Sequence, residues 1–257
     1  MSQNSILSPG IIRQLLKEPT KVTERDGKLF LIEPPKEIHV DNRPAKLSNR
    51  SKSRTYDFNF YVEHLEGKKG TMLDVGAGSG LFREIFSKFN YIGLDLYPYD
   101  VVNLVADVRE GLPLQDNSVD IVVLSNVLEH TPDPWILVRE SYRVLEPGGM
   151  LIGTVPFIAH EHQEPEDYLR YTHFMLEKLL ADSGFDSTVL PLETALDLLE
   201  WAHRQVFDQV MYREGKRGFR EKIAYYLTKA SIKYSAPLLT GSKSTKITRR
   251  FGFVARK

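Results

Sequence analysis

Between residues 71 and 157 the chain alternates two kinds of hydrophobic pattern. Nearly continuous apolar runs (TMLDV at 71–75, YIGLDL at 91–96, VNLVAD at 102–107, VDIVVLSN at 119–126, MLIGTVPF at 150–157) are separated by stretches whose apolar residues recur at helical spacing (GLFREIFSKF at 80–89, PWILVRESYRVL at 134–145). Runs this uniformly apolar predict strands buried on both faces, as in a parallel sheet covered by helices. The spacing then predicts a helix over 173–185 that closes at Gly184, a sixth strand over 186–192, helix from Glu193 to about Tyr234, and a last strand in RRFGFVARK (249–257) at the sheet edge. The fold class expected is α/β: a doubly wound, mostly parallel seven-stranded sheet. Residues 51–257 form the main domain, with 193–247 as a helical, basic insertion before the last strand.

Residues 1–50 read as an arm in front of that domain. IIRQLLKE (11–18) is a short amphipathic helix, and Asp26-Gly27 between strand-like runs predicts a hairpin. Residues 34–54 are polar, basic and contain proline, which fits a linker or an arm over the cofactor site. Tyr56 to Glu66 returns to a helical pattern.

Composition narrows the function classes. The 257 residues hold 34 Lys or Arg and 34 Asp or Glu, and no cysteine. Disulfides, thiolate metal sites and cysteine nucleophiles are thereby excluded. No apolar run approaches the ~18 residues of a spanning helix, and the opening MSQNSILSPG lacks the features of a secretory signal, so a cytoplasmic location is expected. The zero net charge hides an asymmetry: from Arg213 to Lys257 there are 13 Lys or Arg against Glu214 and Glu221. Such a segment faces an anionic partner, or else docks on its own acidic body.

The stretch LDVGAGSG (73–80) sets three glycines at alternate positions directly after the first strand. A triphosphate-binding loop requires Gly-Lys-Ser/Thr, but Gly80 is followed by Leu81 and Phe82. A dinucleotide fingerprint places a third glycine three positions after the second, and that position is Leu81. The pattern Asp74-x-Gly76-x-Gly78-x-Gly80 resembles instead the first motif of the class I S-adenosylmethionine-dependent methyltransferases. Asp95 ending YIGLD, Asp107 in ADVRE, VDIVVLSNVLEH and RVLEPGGMLIGTVPF resemble the family's later motifs in order, from about Tyr56 to Phe185 together with the final strand.

The resemblance implies S-adenosyl-L-methionine as cofactor, held by Asp74, Gly76, Ala77, Gly78, Gly80, Asp95, Leu96, Asp107, Val108 and Asn126. In that arrangement Gly76 and Gly78 let the backbone lie against the ligand, and Asp95 takes both ribose hydroxyls. Asp107 or its neighbouring backbone reads the adenine edge, Asp74 orders the loop and the amino-acid tail, and Asn126 adds a polar contact. Tyr56 is either core or an aromatic beside the sulfonium.

For the acceptor side the candidates are His130, beyond the fourth strand, and the polar loop FIAHEHQEPEDYLRYT (157–172). His130 serves as base or orders its loop; His160 is a second base candidate, with Tyr171 or Arg170 as hydrogen-bonding anchor. His160 and His162 raise the question of a metal, but spacing specifies no third ligand, and the loop is read without one. EPEDYLRYT resembles a segment of class I methyltransferases associated with polysaccharide and glycolipid assembly. O-methylation of a small-molecule, sugar or glycolipid-like acceptor is therefore expected. The basic 213–257 segment would lie peripherally on an anionic membrane or hold a lipid carrier, with Phe219, Ile223, Leu227 and Ala230 on one helical face; covering the sheet or forming a dimer is the alternative. Two other readings remain open: a cofactor-binding scaffold without catalysis, and an RNA methyltransferase. Nucleic acid ranks last, because the fourth strand exits as Ser-Asn-Val-Leu rather than the Asp/Asn-Pro-Pro-aromatic signature of base-amine methylators. The oligomeric state is left open.

Overall fold

The computed structural model describes residues 6–35, 51–210, 218–239 and 243–257. Nine strands form one sheet: β1 (Thr23–Arg25), β2 (Lys28–Phe30), β3 (Thr71–Val75), β4 (Asn90–Asp95), β5 (Leu104–Val105), β6 (Val119–Ser125), β7 (Leu145–Pro156), β8 (Asp186–Pro191) and β9 (Arg250–Arg256). Their spatial order is β1-β2-β5-β4-β3-β6-β7-β9-β8. From β2 to β7 every pairing is parallel, whereas β9 runs antiparallel to both β7 and β8.

The seven expected strands are all present, with two corrections. β9 lies inside the sheet rather than at its edge, which is why Phe251, Phe253 and Ala255 are fully buried. The N-terminal arm is part of the main fold: β2 pairs with β5 in register Leu29↔Leu104 and Phe30↔Val105. Ile12 of α1 (Pro9–Leu15), Leu16 and Leu29 join the same buried cluster as Leu73, Leu94 and Leu124. A two-residue β5 leaves a sheet edge that the hairpin covers, so backbone groups there find partners. The linker expected over the cofactor site falls largely on residues 36–50, outside the described residues.

Successive residues of β3 serve opposite faces, as strand geometry requires. Leu73 and Val75 pack into the cluster holding Leu137 and Val138 of α4 (Pro134–Val144) and Leu176, Leu179 and Leu180 of α5 (His173–Asp182). Met72 packs on the other face with Phe60, Tyr61 and Leu65 of α2 (Lys52–Leu65). Helix starts carry side-chain caps: Ser51 accepts from the Arg54 N–H, Asp133 from Trp135, and Thr172 from Met175. The helix expected over 80–89 is only α3 (Arg83–Phe86), because the glycine loop holds the preceding residues in a turn. The insertion consists of α6 (Ala195–Gln205), opened by a Thr194–Asp197 capping box, and α7 (Phe219–Leu239).

Chain order reverses between β3 and β6, which lie side by side while β4 and β7 flank them outward. In an open α/β sheet, ligands bind beyond the carboxyl ends at this switch point. Both Gly76–Gly80 and Asn126–His130 leave the sheet there.

Candidate active site

The loop after β3 is tied to the neighbouring strand by N–H bonds from Gly76 and Ala77 to the Leu94 carbonyl. Gly76, Gly78 and Gly80 all have positive φ, at 67°, 50° and 77°. Their reasons for being glycine differ. A Cβ on Gly76 would lie 2.7 Å from Val127 Cγ2, and one on Gly80 2.6 Å from Val101 Cγ1, so both are forced by packing. A Cβ on Gly78 would meet only the Gly76 carbonyl oxygen, at 4.0 Å, and otherwise open space. Gly78 is thus the position whose bareness leaves room for something other than protein.

Asp95, at the end of β4, faces this gap. Its Oδ2 accepts the Gly78 N–H at 2.9 Å and its Oδ1 the Tyr97 N–H at 3.0 Å. The Leu96 N–H also bonds to this carboxylate, so three backbone donors hold it in place and at least one lone pair remains for a ligand hydroxyl. Burial raises the Asp95 pKa above the usual carboxylate range, and these backbone N–H groups oppose the rise. Leu96 is half-buried beside it, while Ala77 is buried against Phe30, Val102 and Val105, so the N-terminal hairpin supports the glycine loop from behind.

Asp74 is buried under the loop, its Oδ2 accepting from the Tyr91 hydroxyl at 2.7 Å. Burial pushes its pKa up to about 7 against that hydrogen bond. Asp107 begins the turn Val108–Glu110, with Val108 half-buried, and its carboxylate is clasped by the Arg109 guanidinium, which lowers its pKa. Asn126 has φ 56°, donates to Thr154 Oγ1 at 3.4 Å and accepts from Arg250. Arg250 in turn forms a two-pronged pair with the buried Asp57 of α2, at 3.1 and 2.8 Å. The sequence did not disclose this Asp57–Arg250–Asn126 chain, whose members lie 193 and 124 residues apart.

His130, the first candidate for the acceptor side, lies in the turn Leu128–His130, just past Val127, whose side chain abuts Gly76. The His130 ring places Nδ1 2.5 Å from the Glu166 carbonyl oxygen. A carbonyl only accepts, so Nδ1 carries the hydrogen and Nε2 presents its lone pair. Burial lowers the pKa of His130, favouring this neutral form. The polar loop is clasped to the turn, since Tyr168 and Leu169 donate their N–H groups to the Glu129 carbonyl at 2.8 and 3.2 Å. Arg170 braces the loop through Asp167 (2.6 and 2.7 Å) and the His160 carbonyl (3.0 Å).

Two acceptor-side expectations are corrected. Tyr171 is in the core, 1% exposed, with its hydroxyl given to the Leu128 carbonyl at 2.9 Å. Its ring fixes the turn and its oxygen is not offered to a ligand. His160 is exposed and leans toward Trp201 of α6, with ring centroids 6.3 Å apart; the ring beside His130 is that of His162, at 5.0 Å. Tyr56 gives its hydroxyl to Asp197 at 2.9 Å and serves to join α2 to α6.

Residues 73–153 match the family model described as a methyltransferase domain. An uncharacterized methyltransferase of Mycobacterium sp. (strain JLS) is 32% identical over 159 residues, covering 51% of this chain and 60% of that protein. One of Mycobacterium leprae (strain Br4923) is 39% identical over 160 residues, covering 51% and 56%. The chain thus spans less than two thirds of the length of these relatives. Among solved structures, a methyltransferase dependent on S-adenosylmethionine from Archaeoglobus fulgidus aligns over 80% of this chain and 95% of its own, with a TM-score of 0.51 at 18% identity, a likeness of fold. The sequence match thus lies over the glycine loop at the switch point, and that part of the chain is similar to a methyltransferase domain, on a fold like that of S-adenosylmethionine-dependent methyltransferases.

Proposed function

We propose that the protein transfers the methyl group of S-adenosylmethionine to an oxygen of a small-molecule, sugar or glycolipid-like acceptor. The observation that carries the reading is the open space over Gly78, bordered by the Asp95 carboxylate that backbone N–H groups hold in place. In the transfer the acceptor oxygen forms a bond to the methyl carbon and the S–C electron pair stays on sulfur. The sulfonium charge disappears and the hydroxyl proton must leave. Orientation and exclusion of water supply most of the rate. The chain's part on the acceptor side is the wall formed by the Leu128–His130 turn and the 158–170 loop, where His130 Nε2 is a lone pair aimed away from its own backbone partner. Arg109 reaches from the Asp107 turn to within 3.7 Å of Glu166 on this loop, joining the cofactor and acceptor sides.

Presentation of the acceptor at an anionic lipid surface is supported by α7. Its Phe219 (79%), Tyr226 (66%), Leu227 (66%) and Tyr234 (91%) are solvent-exposed beside exposed Lys222, Lys229 and Lys233. A helix with aromatic and basic residues outward suits an interfacial position. Arg213, Lys216 and Arg217 lie outside the described residues. Among the described residues no helix is long and apolar enough to cross a membrane.

The test is formation of S-adenosylhomocysteine by the purified chain with hydroxylated saccharides, offered free and lipid-linked in phosphatidylglycerol vesicles. The reading expects turnover to a methyl ether, faster in anionic than in phosphatidylcholine vesicles. Cofactor binding with no turnover on any hydroxyl acceptor would favour the scaffold. Turnover indifferent to vesicle charge would remove the lipid surface from the reading.

A further inference from the structure

Beside the glycine loop lies a group of side chains that cofactor binding does not use. Glu129 is fully buried, and neither carboxylate oxygen has a hydrogen-bonding partner among the described residues apart from its own backbone N–H. A buried carboxylate left in this condition is costly. The cations nearest in charge, Arg170 and Arg250, are already committed to Asp167 and Asp57. What faces Glu129 is His130, with Nε2 3.9 Å from Oε1, and behind it the ring of His162.

Both imidazoles are held in the same way. His130 Nδ1 donates to the Glu166 carbonyl. His162 Nδ1 lies 3.2 Å from the His160 carbonyl and 3.2 Å from Asp167 Oδ2, both acceptors, so it too carries the hydrogen. Each ring therefore has its Nε2 lone pair free. Metal-binding histidines are oriented in this way, by a carbonyl or carboxylate on the far nitrogen. One ligand atom from each of Glu129, His130 and His162 lies within 4.8 Å of the others. Tetrahedral ligands about 2.0–2.2 Å from one ion stand about 3.3–3.6 Å apart, so a closure of up to about 1.5 Å would complete the set.

We propose that Glu129, His130 and His162 form a site for a divalent transition-metal ion of the zinc class, with two imidazole nitrogens and one carboxylate oxygen as ligands. Three protein ligands leave a coordination position open, as in catalytic rather than structural sites. Resting on the O-methylation reading, the open position takes the acceptor hydroxyl. The bound oxygen loses its proton to water before it attacks the methyl carbon. His160, which spacing alone would have paired with His162, is outside the site.

The experiment is calorimetric titration of the metal-free full chain with Zn2+, with S-adenosylhomocysteine titrated in parallel. One ion should bind per chain with micromolar or tighter affinity. His162→Ala and Glu129→Gln should each weaken it at least about 10-fold, while His160→Ala leaves it unchanged. His162 is partly exposed, so its removal keeps the fold, and S-adenosylhomocysteine should still bind that variant. Absence of one-to-one Zn2+ binding, or binding indifferent to His162→Ala, overturns the site. If S-adenosylhomocysteine binds and Zn2+ does not, this inference fails and the cofactor site stands, with turnover left to decide the methyltransferase reading; if Zn2+ binds and S-adenosylhomocysteine does not, the metal site stands and the cofactor site fails.

Discussion

Gly78→Asn is expected to weaken S-adenosylmethionine binding by at least about 100-fold, or about 2.7 kcal/mol, while thermal unfolding stays within a few degrees of the parent. The two halves have separate causes. Asparagine tolerates the left-handed backbone better than other non-glycine residues, and φ at this position is 50°. Its Cβ would touch nothing of the protein closer than the Gly76 carbonyl at 4.0 Å, so the fold has little to lose. The space it fills is where the ligand's ribose and amino-acid portion would lie against the loop. Gly76→Ala and Gly80→Ala provide the contrast, since their methyl groups would strike Val127 and Val101. Those variants should lose thermal stability as well as binding. Calorimetry and a melting curve on the three proteins check this. Unchanged affinity in Gly78→Asn would mean that the cofactor does not cross position 78.

Arg250→Met should destabilise the protein by about 3–5 kcal/mol, a fall of roughly 10 °C in melting temperature for a chain of this size. Asp57 is 1% exposed and Arg250 13%, and two hydrogen bonds join them. Burial pushes Asp57 above the usual carboxylate range, and Arg250 holds it back. Without the guanidinium a carboxylate is left unpaired in the interior, and Asn126 also loses its partner. The pair's own net contribution is smaller than this. The double variant Asp57→Leu/Arg250→Met, which removes both charges, should recover most of the stability, because well-packed apolar residues often replace a buried pair at no cost. Denaturant unfolding of the wild type and both variants decides the matter. A single variant within about 1 kcal/mol of the wild type, or a double variant no better than the single, would contradict this account of the pair.

The parallel core of the sheet was readable because strands buried on both faces must be apolar throughout, and 71–75, 119–126 and 150–157 are. The glycine loop was readable for a similar reason, since positive φ and close approach leave a mark in residue type. The N-terminal arm reads as a preface because a three-residue strand such as Lys28–Phe30 carries no periodicity that separates a strand paired into the main sheet from a free hairpin. The position of β9 was missed because an apolar run states that a strand is buried but not which neighbours bury it. Tyr171 reads as an acceptor-side anchor because a tyrosine in a polar loop looks the same in sequence whether its hydroxyl meets a ligand or the Leu128 carbonyl. The Asp57–Arg250 pair was not legible, and of the Glu129–His130–His162 group the sequence marked His130 and His162 as candidates but neither Glu129 nor the proximity of the three. Both join residues distant in sequence, and a buried acid is indistinguishable from a surface acid until the strand exit beneath it is placed.

The central claim is that the open backbone at Gly78 and the carboxylate at Asp95 together hold the nucleoside of S-adenosylmethionine. A crystal structure of the protein with S-adenosylhomocysteine tests it most directly. The account predicts both ribose hydroxyls about 2.5–3.0 Å from the Asp95 oxygens, with the ligand running over Gly78. A nucleoside bound elsewhere, or bound here with its hydroxyls turned from Asp95, would contradict it.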